Sequence, residues 1–303
     1  MAAAEAYNIS HRYAKVTALS NLSFSVNDGE LFGFIGPDGA GKTTLFRIAA
    51  TLIIPSEGKM TLFGLDTVND YKQLRNIIGY MPGRFSLYYD LTVEENLNFY
   101  ATIFGTTIKE NYHLIEPIYK HIEPFRKRLA GRLSGGMKQK LALSCALIHK
   151  PRILLLDEPT TGVDAVSRTE FWAILSHLKN EGITIIVSTP YMDEALRCDR
   201  IALIQNGTIM SIDTPQNIRR SYGQKLYAVI CPDKYKLLLA LSTEPCALSS
   251  EPFGDSIHVT LIPGTDPQQL VTALSASGLS GVMIEEIVPG IEDVFLELMK
   301  KEQ

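Results

Sequence analysis

The sequence predicts an α/β chain: a largely parallel-sheet domain over about the first 220 residues, a helical subdomain at about 90–150, and a small α+β appendage from about residue 222. Three observations predict it. Leu31–Ile35 is a continuous apolar run that enters a Gly-rich loop and then a helix-forming segment. Ile153–Leu156 is a second such run, the pattern of a strand buried on both faces, and it ends in two acids. After Tyr222 short strand-like and helix-like segments alternate, separated by Gly, Pro and Ser.

Each element follows from its own residues. Leu22–Val26 alternates apolar and polar residues, Asn27-Asp28-Gly29 turns the chain, and Leu31–Ile35 is a buried strand. A helix is expected from about Lys42 to Thr51, and a short strand at Lys59–Phe63 after Pro55-Ser-Glu-Gly58. Thr92 with Glu95 three residues on reads as a capping box opening a helix. A further helix runs from about Gly136 to His149 and stops at Lys150-Pro151. Phe171–Lys179 reads as helix, Ile183–Ser188 as strand and Asp193–Cys198 as helix. Ile201–Gln205 and Thr208–Ile212 form a hairpin about Asn206-Gly207. Strands at Lys225–Ile230, Ser256–Leu261 and Val282–Ile287 then alternate with helices at Lys234–Leu241, Pro267–Ser275 and Ile291–Lys300. The expected domains are therefore 1–221 and 222–303, the second of ferredoxin-like type and without a cluster suggesting catalysis.

Composition narrows the function. The 303 residues are 46% apolar and 20% charged, enough for one large or two smaller cores. The net charge of −4 gives no support to a nucleic-acid partner, because such domains are usually basic. Runs such as Arg126-Lys127-Arg128 and Arg219-Arg220 read as solvated faces. No apolar run approaches the roughly 18–20 residues that span a bilayer. Met-Ala-Ala-Ala-Glu lacks the basic and apolar regions of a signal peptide, so a cytoplasmic location is expected. Cys145, Cys198, Cys231 and Cys246 show no C-x-x-C spacing and read as reduced, buried thiols.

The chemistry is concentrated in two places. Gly36-x4-Gly41-Lys42-Thr43 lies between a strand and a helix, the context that a phosphate-binding loop requires. Its glycines let backbone amides curl around phosphates, and the helix start adds a positive dipole end. Lys42 is expected to reach the β/γ-phosphates and Thr43 to hold Mg²⁺; Asp38 is tolerable only if it points outward. Asp157, at the edge of the second apolar strand, suits Mg²⁺, and Glu158 is placed to polarise an attacking water. The competing readings are a Gly-rich turn and a solvent-facing strand-end acid. The two motifs together disfavour both.

Leu133-Ser-Gly-Gly-Met137, opening a helix shortly before Ile153-Leu-Leu-Leu-Asp157-Glu158-Pro159, resembles the signature motif of ATP-binding cassette (ABC) ATPases. The resemblance covers about residues 5–220 and implies a P-loop NTPase that binds ATP and Mg²⁺. It makes Gly36, Pro37, Asp38, Gly39, Ala40, Gly41, Lys42, Thr43 and Thr44 nucleotide-binding positions, Thr43 and Asp157 metal ligands, and Glu158 the catalytic residue. It also implies a head-to-tail dimer in which Ser134, Gly135 and Gly136 contact the ATP of a second ABC subunit, the same chain or a different cassette. Thr161-Gly-Val-Asp164 resembles the loop crossing that interface, and Tyr13 the aromatic that stacks on adenine; the alternative for Tyr13 is an ordinary strand-flanking tyrosine. The phrasing of Ile78–Pro82, Leu87–Val93, Tyr191–Ala195 and Ile291–Leu298 is similar to ATPase subunits of ABC-2-type drug and antibiotic exporters. Such subunits sit peripherally on the inner face of the membrane, docked on polytopic membrane subunits.

Two positions depart from that family. Gly83 stands where it usually has a glutamine that helps ligate Mg²⁺ and the attacking water, and Pro190 where it usually has a histidine on the γ-phosphate. Loss of one group that stabilises the transition state typically costs ~10²–10³ in rate. Severely slowed hydrolysis is expected, in both sites of a homodimer or in one site of a heterodimer. A nucleotide-binding regulatory or structural subunit with little turnover is the alternative. Soluble cassettes of translation or DNA repair carry tandem cassettes or coiled-coil insertions, and neither appears here.

Overall fold

In the computed structural model, which describes residues 2–301, residues up to Pro215 form one compact unit and those from Gln216 a second. β1 (Ala2–Tyr13) and β2 (Val16–Asn27) are joined by a tight turn, and β3 (Leu31–Ile35) runs through the Gly-rich loop into α1 (Lys42–Ala49). β4 (Glu57–Leu62), β5 (Leu65–Asp66), α2 (Tyr71–Leu74) and β6 (Ile78–Met81) follow. α3 (Val93–Ile103), α4 (Ile108–Tyr119) and α5 (Gly135–Leu147) make the helical part. β7 (Ile153–Asp157), α6 (Ala165–Asn180), β8 (Thr184–Thr189), β9 (Arg200–Gln205) and β10 (Thr208–Asp213) complete the unit.

Two sheets result. One is four-stranded with order β2-β1-β4-β5; the other is six-stranded with order β10-β9-β3-β8-β7-β6. The pairs β9–β3–β8–β7–β6 are all parallel, and β10 is antiparallel to β9. The apolar runs at β3, β7 and β8 are buried throughout because layers cover both faces of the parallel sheet. α1 packs against both sheets, with Leu45, Phe46 and Ile48 buried among Phe24, Phe32, Phe34 and Leu155. Phe34 meets Phe24 edge to face at 4.9 Å and Phe46 at 6.1 Å. Burial of each ring stabilises by about 1.5–3 kcal/mol, which fixes the helix that carries Lys42.

The structure corrects several sequence expectations. α6 begins at Ala165, well before Phe171, because the Asp164 carboxylate accepts the Ser167 amide at 2.9 Å and caps a polar first turn. Met192–Arg197 is a 3-10 helix, not an α-helix. β1 gave no strand signal: its Ala-rich start lacks β-branched residues, and pairing with β2 on one side and β4 on the other makes it a strand. The capping box at Thr92–Glu95 is present as read, and Thr107–Glu110 forms a second one at the start of α4.

In the second unit, α7 (Pro215–Arg220), whose first residue closes the first unit, precedes β11 (Leu226–Ile230), α8 (Lys234–Thr243), β12 (Ala247–Phe253), β13 (Ser256–Leu261), α9 (Pro267–Ala276), β14 (Met283–Ile287) and α10 (Ile291–Lys301). The antiparallel order β12-β13-β11-β14 with helices after β11 and β13 is the split βαβ arrangement of ferredoxin-like folds. Leu237, Leu241, Leu270 and Leu274 of α8 and α9 bury against Val229, Ile257 and Val259. β12 was not expected from the sequence, since Ser249-Ser-Glu-Pro252 dilutes its pattern; β13 imposes it as a neighbour.

Candidate nucleotide site

Four adjacent parallel strands release the chemistry at one sheet edge, their carboxyl ends. In the spatial order β3, β8, β7, β6, the residues that follow are Gly36, Pro190, Glu158 and Pro82-Gly83. That edge of an open parallel sheet is where ligands bind. The fold thus gathers positions up to 154 residues apart in sequence (190 − 36).

The Gly-rich loop is closed by its neighbours. A Cβ on Gly36 would lie 2.1 Å from the Ile204 carbonyl oxygen, and one on Gly41 would lie 2.4 Å from that of Ala18. Gly41 has φ of 101°, a left-handed conformation that a side chain would strain. It is the N-cap of α1 and brings no side-chain cap, so first-turn amides remain for a ligand. Lys42 is buried; its Nζ donates to the Gly36 and Pro37 carbonyls at 2.8 and 2.9 Å and lies 3.1 Å from Glu158 Oε1. Asp38 is exposed, as the loop requires of a carboxylate, while Thr43 is half-buried and Thr44 buried.

Asp157 is 2% exposed, and its Oδ1 accepts a hydrogen bond from Ser188 Oγ at 2.7 Å. Ser188 also holds the next residue: the Glu158 amide donates to its carbonyl at 3.1 Å and to its Oγ at 3.0 Å. Glu158 has φ of 50°. A non-glycine residue there costs on the order of 1–3 kcal/mol, and the surroundings must hold it. That turn aims the carboxylate back at Lys42. Burial, with the Asp157 charge as the second cause, pushes the Tyr80 phenol up to about 12, so it stays protonated.

Ser188 was not read from the sequence as functional. Only the register, which pairs Asp157 with Ser188 in parallel, reveals it. Ser188→Ala leaves the buried Asp157 without that donor. A loss of about 1.5–3 kcal/mol is expected, the range for hydrogen bonds to charged groups, measured by chemical denaturation.

The departures have distinct geometries. A Cβ on Gly83 would lie 3.0 Å from the Asp157 carbonyl oxygen and 3.7 Å from Glu158 Cβ, so the position faces the Asp157–Glu158 turn. Beside it a cavity of about 140 Å³ is lined by Gly83, Glu158, Gly135, Gln139 and Gly162. Pro190 follows Thr189 at the end of β8, and the Tyr191 amide donates to Thr189 Oγ1 at 3.1 Å.

Ser134 caps α5, accepting the Met137 amide at 3.4 Å, and is exposed. The atoms nearest to a Cβ on Gly135 or Gly136 belong to Gly162, Val163 and Ser167, none to the phosphate loop of the same chain. Tyr13 is 41% exposed, edge-on to His11 at 4.5 Å, and pairs with Val16. Val16 is two residues, roughly 7 Å, from Ala18 on the same strand, and Ala18 touches Gly41. An exposed aromatic therefore stands one short strand segment from the loop.

Lys42 and the α1 amides suit phosphate oxygens, and Thr43 with Asp157 supplies hard oxygen ligands of the kind Mg²⁺ takes alongside substrate phosphates. The tight glycine cradle and the uncapped helix start fit a nucleoside triphosphate with Mg²⁺. When bound, Mg²⁺ would neutralise charge on the phosphates.

Comparison with known proteins shows what the chain as a whole is similar to. The ABC transporter family profile matches residues 19–161. The chain is 38% identical over 288 residues to the Probable multidrug ABC transporter ATP-binding protein YbhF of Escherichia coli; the match takes in 93% of this chain and 49% of YbhF, so the chain spans about half the length of that relative. It is 34% identical over 299 residues to the Nod factor export ATP-binding protein I of Burkholderia orbicola, covering 97% of this chain and 96% of that one. Among solved structures, an ATP-binding subunit of an ABC transporter superposes with a TM-score of 0.66 at 28% identity, covering 73% of this chain and 93% of that chain. An ATP-binding cassette solved as a dimer in a post-hydrolysis state with ADP and Pi gives 0.64 at 25% identity, covering 70% and 98%. Among the described residues no helix is long and apolar enough to cross a membrane. From its motifs, its fold and these relatives, the chain belongs to the family of ABC transporter ATP-binding proteins.

Proposed function

We propose that this chain binds Mg-ATP and, as a head-to-tail dimer, couples ATP binding and hydrolysis to transport by separate polytopic membrane subunits, in the direction of export. The observation that carries the reading is the convergence of Lys42, Asp157 and Glu158 at one sheet edge, beside an exposed Ser134 helix start. The likeness of Leu133–Met137 to the signature motif supports its completing the site of a second cassette. The export name of the Nod factor protein supports the direction.

Lys42 and the loop amides hold the phosphates; Glu158 orients and deprotonates the attacking water. Gly83 and Pro190 supply neither a metal ligand nor a γ-phosphate donor, so turnover at this chain's own site is slow. Ser134, Gly135 and Gly136 are intact and serve the site built on a partner's phosphate loop. An aromatic cluster beside Gly83 is the expected docking place for a membrane subunit: Phe85 meets Tyr89 at 5.1 Å and Tyr88 meets Phe99 at 4.9 Å, with Tyr88 and Tyr89 half exposed.

The test is ATP-dependent assembly. The Glu158→Gln chain, which retains nucleotide, is mixed with ATP, and its mass is read by light scattering, alone and after co-expression with candidate membrane subunits. Doubling of the mass with ATP alone indicates self-pairing. A monomer that recruits a second, different cassette together with membrane subunits indicates a heterodimer. A chain that binds no ATP at micromolar to millimolar concentration contradicts the proposal.

A further inference from the structure

We propose that Glu194 is a positioning residue for this ATP site: its carboxylate ties the turn carrying Glu158 to the end of β8. It thereby holds in one geometry two loops between which Pro190 can make no side-chain hydrogen bond. The proposal rests on the ATP-site reading. Glu194 is 3% exposed, in the 3-10 helix after β8. One of its oxygens, Oε2, accepts from Thr160 Oγ1 at 3.1 Å and from Thr189 Oγ1 at 2.5 Å. Thr160 lies two residues beyond Glu158, and Thr189 immediately precedes Pro190. The Thr189 hydroxyl in turn accepts the Tyr191 amide, so the peptide after Pro190 belongs to the same chain of hydrogen bonds.

The other oxygen, Oε1, faces the Arg168 guanidinium of α6 at 3.9 Å, and Arg168 packs over the Tyr191 ring 5.0 Å from its centroid. A buried carboxylate is costly unless paired and hydrogen-bonded. Here two hydroxyls satisfy Oε2, while Oε1 is buried without a hydrogen bond and has the Arg168 cation at 3.9 Å; the two hydroxyls come from the segments that follow Glu158 and precede Pro190. Glu158 gains from such support, because its left-handed backbone is held on one side by Ser188 and on the other by a single Thr161 amide donating to its carbonyl at 3.2 Å. Without Glu194 both threonine hydroxyls lose their shared acceptor, and the catalytic turn is free to relax.

The test uses the full chain with three variants: Glu194→Ala, Glu194→Gln, and Thr160→Val combined with Thr189→Val, which removes both donors at nearly constant shape. Amide hydrogen exchange is the first readout. In Glu194→Ala and in the double threonine variant, peptides over 158–164 and 189–193 are expected to exchange at least about tenfold faster, with peptides over 36–49 unchanged. ATP affinity stays at the parent value, and kcat falls about tenfold with KM little altered, the signature of lost orientation and not lost binding. Glu194→Gln, which keeps an acceptor oxygen, recovers most of both losses.

Unchanged exchange in either deletion variant overturns the proposal. So does acceleration spread evenly over β3, β7 and β8, which marks a merely structural role. If Glu194→Ala fails to fold, the threonine variant decides. A parent chain that binds no ATP sinks the ATP-site reading, while the exchange data still decide the tie itself.

Discussion

Glu158→Gln is expected to lower ATP turnover by about 10²–10⁴-fold while leaving Mg-ATP binding intact or tighter. The first half follows from position: Glu158 follows the last residue of β7 beside Asp157, with its backbone forced into the left-handed region so that its carboxylate faces the phosphate loop. The second half follows from the ion pair between Glu158 and Lys42 at 3.1 Å. Neutralising Glu158 releases the Lys42 ammonium from a competing carboxylate, and that ammonium is the cation expected to meet the phosphates. Steady-state phosphate release and equilibrium titration with a fluorescent ATP analogue separate the two effects. A variant that loses binding and turnover together would show that Glu158 shapes the pocket instead of acting in the chemistry.

The second large effect is a gain. Restoring glutamine at 83 and histidine at 190 together is expected to raise turnover by about 10²-fold or more, since each missing group typically carries ~10²–10³. The two act on the same transition state, so the gains do not multiply. The structure also distinguishes the single variants. A Cβ at 83 comes to 3.0 Å from the Asp157 carbonyl oxygen, so the backbone must yield by a few tenths of an ångström, and Gly83→Gln alone carries a penalty against its gain. Pro190→His restores a backbone N–H and a side-chain donor at the end of β8 and relieves a fixed φ. The histidine substitution is therefore expected to contribute the larger single gain in purified protein.

Much of this site was legible in the sequence because its chemistry lies in contiguous motifs. Gly36–Thr44 and Ile153–Glu158 each join a buried strand to the candidate site residues without a gap, and periodicity together with residue type identifies them. What could not be read is what depends on register between strands. That Ser188 faces Asp157 follows from the pairing of β7 with β8, and that Glu194 meets both Thr160 and Thr189 follows from the 3-10 turn after β8. A buried glutamate in Met192-Asp-Glu-Ala-Leu looks like any solvated helical acid until the fold closes over it. The same holds for the elements. β3, β7 and β8 announce themselves as apolar runs, whereas β1, with its Ala-rich start, is a strand only because β2 and β4 flank it. In the second unit the βαββαβ order was visible except for β12, whose polar residues gain their strand from β13 alone.

The rate of ATP hydrolysis by the purified parent chain, measured beside Glu158→Gln and the Gly83→Gln/Pro190→His double variant, decides whether Gly83 and Pro190 slow this site. The parent is expected to bind Mg-ATP yet turn over below about 0.1 s⁻¹, some 10²-fold under the ~10 s⁻¹ typical of enzymes, and the double variant to rise well above it. A parent that hydrolyses several ATP per second, with that activity abolished by Glu158→Gln, would contradict that expectation.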